Sequence, residues 1–390
     1  MSSVVISGDI SGSVTLDAPS VAGTTVLTLP ATSGTVLTSA SATVGANGIT
    51  FSDGSTQTAA ASPYVLKNRI INGAMQIAQR ATSATNVGTS SATSYNTVDR
   101  FQIYRDGAAT GCNPSQQSTG GPTGLPYFIR IQRVSGNTAT NALNIAQSIE
   151  SINCYDLAGQ SVTLSFWARA GSNYSSISNQ LAATIASGTG TDGNTYNGLT
   201  GFATTATTTI TLTTSWQRFT LTGTVASNAN QVAILIQSTP TGTAGTNDFY
   251  DITGVQLEQN TSATPFERRL YNQELANCQR YYEKSYPISV VPGTSTGNGA
   301  AFSTQNVGVT TASFILTWVN YKVSKRTDAT VAVWDTVGNS GKCTRFTLGS
   351  TTNTNQGITI DLQGESAMEV YSTGTNSAGI ALQWTASAEV

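Results

Sequence analysis

The sequence predicts an all-β protein, and three observations carry that prediction. Only 10% of the 390 residues are charged, far below the usual quarter, so Ser, Thr, Asn and Gln must supply solubility. Threonine is abundant, and β-branched side chains favour strands. Apolar residues alternate in short runs, and 37 glycines are available for the turns between them. The architecture expected is a short-stranded N-terminal stalk, a β-sandwich of jelly-roll type, one short connecting helix and a C-terminal β-sandwich tip.

Residues 1–62 hold runs such as GSVTLDAP, TTVLTLPATSGTVLT and GITFSDGSTQTAAA. None can build a core alone. Strands this small need neighbours, from repeats or from other subunits. The segment reads as an attachment or shaft piece; a floppy arm is the competing reading.

Residues 63–267 read as one large β domain. In SVTLSFWAR, Val162, Leu164, Phe166 and Ala168 share one face, with Trp167 and Arg169 on the other. In WQRFTLTGTV, Phe219 and Leu221 oppose Trp216 and Arg218. QVAILIQS is apolar on both faces, as in a central strand. Two packed sheets suit this pattern.

Residues 268–287 differ from everything around them. Pro265 to Tyr286 holds seven charged residues in twenty-two and no glycine. The pattern predicts a helix over 273–283, with Asn272 as cap, Glu274 in the first turn and Pro287 as its stop. Leu275, Cys278 and Tyr282 make a single apolar stripe. A helix this short must pack on something. Residues 288–390 form a second β domain, with FILTWVNY, ATVAVWD, TRFTL, GITIDL, SAMEVYS and GIALQWTASAEV as strands.

Composition also excludes. The chain has no histidine, so Ser-His-Asp and Cys-His chemistry is ruled out. A formal charge of −2 with no basic patch lacks the footprint of a nucleic-acid binder. No run of about 18 or more apolar residues signals membrane insertion. The start, MSSVVISGDISG, lacks the features of a secretory signal. The four widely spaced cysteines are therefore expected as free thiols made in a cytoplasm.

VLKNRIINGAMQIAQRATS followed by YNTVDRFQIYR resembles the opening of the lectin-like jelly-roll of bacteriophage tail fibre proteins. LAGQSVTLSFWARAGS, TTSWQRFTLTGTV and YDITGVQLEQNTSATPFERRLYNQELANCQRYYEKSY are similar to its later strands and its exit. GITFSDGSTQTAAA resembles the shaft segments of such fibres, and LQWTASAEV their final strand. The resemblance implies a receptor-binding virion protein, a homotrimer in the phage tail, assembled in the bacterial cytoplasm. Its N-terminus would dock on tail or baseplate proteins, and its C-terminal half would meet a host cell-surface glycan. The jelly-roll class is shared with carbohydrate-binding modules, so sugar is the ligand type implied. Alternatives of another class are a structural fibre or decoration protein without receptor role, and a glycan-cleaving tailspike. No repeated rungs or acid pair in an aromatic cleft motif signal the last, so no enzymatic activity is expected.

Candidate residues follow. Trp167 and Trp216, each two residues before an arginine (Arg169, Arg218), suit a sugar platform with hydrogen-bonding support. Cover by a loop or neighbouring domain is the alternative for each. Trp318 shares a face with Phe314 and Leu316, which assigns it to the core. Polar loops such as GTSTGNGA and LGSTTNTNQG suit receptor contact. Asp248 and Asp251 form a carboxylate pair of the kind that holds a structural calcium in related jelly-rolls; turn and strand-edge roles compete. Leu275, Cys278, Tyr282 and Arg280 are expected at a subunit or domain interface.

Overall fold

The computed structural model describes residues 66–390, apart from 89–94, 108–109, 196–197, 305, 310–311, 348–352 and 374–376. Side chains are described less widely, with 306–316, 347, 353, 373 and 377–378 left out. Before residue 66 only five strands are described, by their backbone. The chain divides into two compact units, Met1–Val65 and Leu66–Val390.

In the first unit, β1 (Ser3–Ser7) and β2 (Ser13–Asp17) pair antiparallel. β3 (Ala42–Gly45), β4 (Gly48–Phe51) and β5 (Thr56–Gln57) make a three-stranded sheet. The expected run TTVLTLP lies outside the described residues.

The second unit opens with a sandwich. Its ten strands are β6 (Gln102–Arg105), β7 (Cys112–Gln117), β8 (Phe128–Arg133), β9 (Leu143–Ser148), β10 (Ser161–Ala170), β11 (Gln180–Gly188), β12 (Ala203–Thr211), β13 (Gln217–Thr224), β14 (Gln231–Ser238) and β15 (Phe249–Gln259). They form two antiparallel sheets, in the orders β13-β10-β15-β8-β7 and β12-β11-β14-β9-β6. The alternation read from the sequence sets what lies between them. Val162, Leu164, Phe166 and Ala168 of β10 all enter the core. Leu181, Ile185, Ile234, Ile236, Ile252 and Leu257 complete it. β14, apolar on both faces, is the middle strand of its sheet. β7 carries Pro114 and lies at an edge, where a missing N–H costs no ladder bond.

The segment after the sandwich is α1 (Tyr271–Gln279), followed by a strand, β16 (Tyr282–Lys284). This corrects the helix expected over 273–283. Its cap is Leu270, with no side-chain cap bond, rather than Asn272. Tyr282 leaves the helix because β16 pairs with the last strand of the protein, where Tyr282 opposes Ser387.

The remaining strands are β17 (Ala301–Ser303), β18 (Asn306–Val309), β19 (Ala312–Asn320), β20 (Thr330–Trp334), β21 (Lys342–Thr347), β22 (Asn353–Gly357), β23 (Thr359–Asp361), β24 (Ala367–Thr373) and β25 (Ser377–Ser387). β25 is the spine: β16, β17, β20 and β21 all pair with it. A second sheet, β18-β19-β24-β23, packs on it through a smaller core of Val319, Val333, Met368, Val370, Ile380, Leu382 and Trp384. No helix among the described residues is long and apolar enough to cross a membrane.

All four cysteines are free and buried. Burial pushes the Cys112 and Cys154 thiols up to about 12, and raises those of Cys278 and Cys343 as well. Burial likewise raises several tyrosine hydroxyls, Tyr281 and Tyr282 to about 12. These groups ionise first in the unfolded chain, which then holds fewer protons than the folded one, so stability falls as pH rises. The loss begins near pH 9, the ordinary thiol value, and continues towards pH 12. Thermal melts across pH 7–11 are expected to show Tm level to about pH 8.5 and falling steeply above it. A Tm unchanged at pH 10.5 would contradict the burial of these groups.

Candidate functional site

Strand register brings Trp167, Arg169, Arg218 and Asp251 onto one face. Arg130 of β8 opposes Asp251 of β15, and Asp251 opposes Arg169 of β10. One row over, Thr253 opposes Trp167, and Trp167 opposes Arg218 of β13. β15 carries an extra residue opposite the Ser165–Trp167 step. Gly254 takes the left-handed conformation (φ +61°) that this bulge needs, and a Cβ there would stand 3.0 Å from the Trp167 ring. Trp167 thus lies close over backbone.

The polar groups of this face are turned to the protein. Asp251 is fully buried and accepts Nε and Nη2 of Arg130 at 2.8 and 2.9 Å and Nε of Arg169 at 2.8 Å. The Arg169 guanidinium lies over the Trp216 ring at 4.8 Å, and Phe128 meets that ring edge-on at 5.2 Å. The Trp216 indole N–H donates to the Gly120 carbonyl at 2.7 Å. Arg218 donates to Ser165 Oγ at 3.0 Å and to the Thr264 carbonyl. Trp167 and Trp216 are half-buried. Loop and exit segment cover part of this face, as the competing reading of these residues had it.

Asp248 and Asp251 do not converge on a shared position for calcium. Asp248 pairs with Arg133 at 2.7 Å and accepts the Ser175 hydroxyl at 2.6 Å, while Asp251 serves Arg130 and Arg169. Arginines hold the oxygens a metal would need. Among the described residues no group of three or more His, Cys, Asp or Glu is arranged to hold a metal ion.

The connecting segment packs within its own chain. Cys278 and Tyr282 are buried, and Leu275 is half-buried. Arg280 grips Glu150 of the sandwich through two bonds, at 2.9 and 2.6 Å, and the Tyr281 hydroxyl adds a third at 2.8 Å. Arg100 pairs with Glu389 beyond the end of β25. A cavity of about 220 Å³ beside α1 is lined by Arg69, Arg100 and Arg269, but Asp156, Glu389 and Glu274 already pair with these three.

An open aromatic surface lies in the C-terminal sandwich, at Trp318, which the sequence assigns to the core. Trp318 is 52% exposed and Phe302 59%. Both line a groove of about 540 Å³, together with Ser285, Gly299, Ala301, Thr317, Asn320, Lys322 and Trp384. The groove exists because β18 pairs only with Ala312–Ile315 of β19. The last residues of β19 have no hydrogen-bonded strand on that side among the described residues.

The groove wall is built from fixed parts. Gln383 is buried in β25 and donates to the Thr296 and Asn298 carbonyls at 3.1 and 2.9 Å. It thereby ties down the GTSTGNGA loop that the sequence suggested for receptor contact. Ser285 Oγ donates to Gln383 Oε1 at 2.6 Å and accepts the Trp384 N–H at 2.8 Å. Phe302 is held edge-on by Phe346 at 5.5 Å. Gly299 adopts φ +84°, and a Cβ there would lie 2.2 Å from the Ser285 carbonyl oxygen. Gly299→Ala is expected to cost about 1–2 kcal/mol in the left-handed region alone, and more from the clash. Chemical unfolding should show that loss. A variant as stable as the parent would contradict the loop geometry.

No family model matches the chain, and no curated protein does. Among solved structures it is similar to the enzymatically active domain of tailspike protein 4 from bacteriophage CBA120, at 14% identity and TM-score 0.31. That match covers 51% of this chain and 22% of the tailspike structure. A CBM4 structure matches at 20% identity and TM-score 0.30, over 48% of this chain and 98% of that one. Carbohydrate-binding modules from the β-sandwich superfamily match at 11% identity and TM-score 0.30, over 54% and 70%. At these scores none assigns the chain a family, a ligand or an activity.

Proposed function

We propose that this protein is a non-enzymatic attachment protein of a bacteriophage tail fibre, binding polysaccharide on the host surface through its C-terminal half. The observation that carries this reading is the solvent-open groove lined by Trp318 and Phe302. Sugar rings present an apolar face to aromatic rings and hydroxyls to polar groups. The groove offers both, with Ser285, Thr317 and Asn320 beside the aromatics. The resemblance of the sequence to tail fibre jelly-rolls supports the virion setting. In this reading three chains assemble, residues 1–62 attach to the tail, and many weak contacts sum to firm adhesion. The sandwich face of Trp167 and Trp216 serves mainly as scaffold.

The test is competition. Purified full-length protein, added to host cells before phage, should lower adsorption in a dose-dependent way and leave polysaccharide viscosity unchanged. Normal adsorption at saturating protein would favour a purely structural fibre. Falling viscosity would favour a cleaving spike.

A further inference from the structure

The groove does not end at its aromatics. A second cavity, of about 260 Å³, shares Ser285, Gly299 and Lys322 with it and continues to Lys284, Tyr286 and Ile288. The two linings together include Lys322 and Lys284 and no carboxylate.

Among the described residues neither lysine stands in a salt bridge. Lys322 is exposed, and the Glu283 carboxylate accepts its backbone N–H. Lys284 is buried, and its Nζ donates to the Ile288 and Val290 carbonyls at 2.9 and 2.7 Å. An ammonium has three donors, so one stays available. Burial pulls Lys284 down to about 8 against the opposing pull of the Asp99 charge, so its charge is retained at neutral pH and is costly there. The neighbouring acids are committed elsewhere. Glu283 is fully buried against Lys325 at 2.7 Å, and Asp99 holds Gln79 at 2.6 and 2.9 Å. Glu369 and Asp361 follow Trp318 across β24 and β23, outside both linings.

Resting on the glycan reading of the groove, we infer that its ligand is an anionic glycan whose charged group seats at the lysine end. The aromatics take the sugar face, and the two ammonium groups take a carboxylate or a phosphate. Lysine binds either as a point charge.

Two matched pairs of polymers test this on the full-length protein: a glucuronate polymer with its carboxyl-reduced form, and a phosphorylated mannan with its dephosphorylated form. At low salt the charged member of one pair should bind at least about tenfold tighter than its neutral counterpart. The pair that shows it distinguishes carboxylate from phosphate. Lys322→Gln should reduce that ratio severalfold with melting unchanged. Arg268→Gln, which removes the same charge outside the groove, should not. Equal binding of charged and neutral members overturns the inference and leaves the glycan reading standing. Binding of none of the four overturns both.

Discussion

Trp318→Ala should abolish competition for adsorption while leaving the fold intact. The ring is 52% exposed and its inward neighbour, Val319, carries the packing, so truncation removes little core. A tryptophan stacked on a ligand typically contributes about 2 kcal/mol or more, which is roughly thirtyfold in affinity. In a multivalent fibre that factor compounds at each site. Phe302→Ala should act in the same direction more weakly, since Phe302 is the smaller ring. Trp216→Ala provides the contrast. Its indole N–H is engaged by Gly120 and its ring by Arg169 and Phe128, so stability should fall and groove affinity should hold. A Trp318→Ala protein that competes as well as the parent would remove the groove from the account.

Asp251→Ala should be the most destabilising single change on the sandwich face. Asp251 is fully buried between Arg130 and Arg169, each 23% exposed. Removing it leaves two arginines facing each other without a counter-charge, a loss of about 3–5 kcal/mol for buried pairs. The partial exposure of both arginines puts the expected loss near the lower end, about 3 kcal/mol. The indole of Trp216 should loosen with Arg169, which intrinsic fluorescence would report. Chelators should leave Tm unchanged, because the aspartate oxygens are held by arginines. A protein that tolerates Asp251→Ala but melts earlier in chelator would restore the calcium reading.

How legible this was in the sequence depends on the kind of signal. Strong alternation was enough for β10, β13 and the spine strand β25, because a half-buried strand writes its core face every second residue, and β14 was legible as an apolar run on both faces. β12, ATTATTTIT, gives almost no such signal, since it is an edge strand largely open to solvent. α1 ended early because β16 is recruited by β25, whose paired residues lie more than a hundred positions away, and no local propensity encodes that pairing. In FILTWVNY the sequence points Trp318 to the wrong face of the strand. Trp318 was assigned to the core, but β24 presents Met368 and Val370 inward, and Val319 is the residue that joins them. Trp318 and Val319 stand on opposite faces of the strand, so a shift of parity by one residue exchanges them. The arginine partners of Asp248 and Asp251 lie 115 and 121 residues away for Arg133 and Arg130, beyond any spacing argument. The charge in the connecting segment was legible as a compositional break, but its partner was not. Arg280 and Tyr281 engage Glu150 of the sandwich.

The most direct measurement is hydrogen exchange on the full-length protein with and without a fragment of host polysaccharide. The account predicts protection confined to residues 296–303 and 317–322, the walls of the groove, and its loss in Trp318→Ala. Protection over the Trp167 and Trp216 face instead, or no protection anywhere, would contradict it.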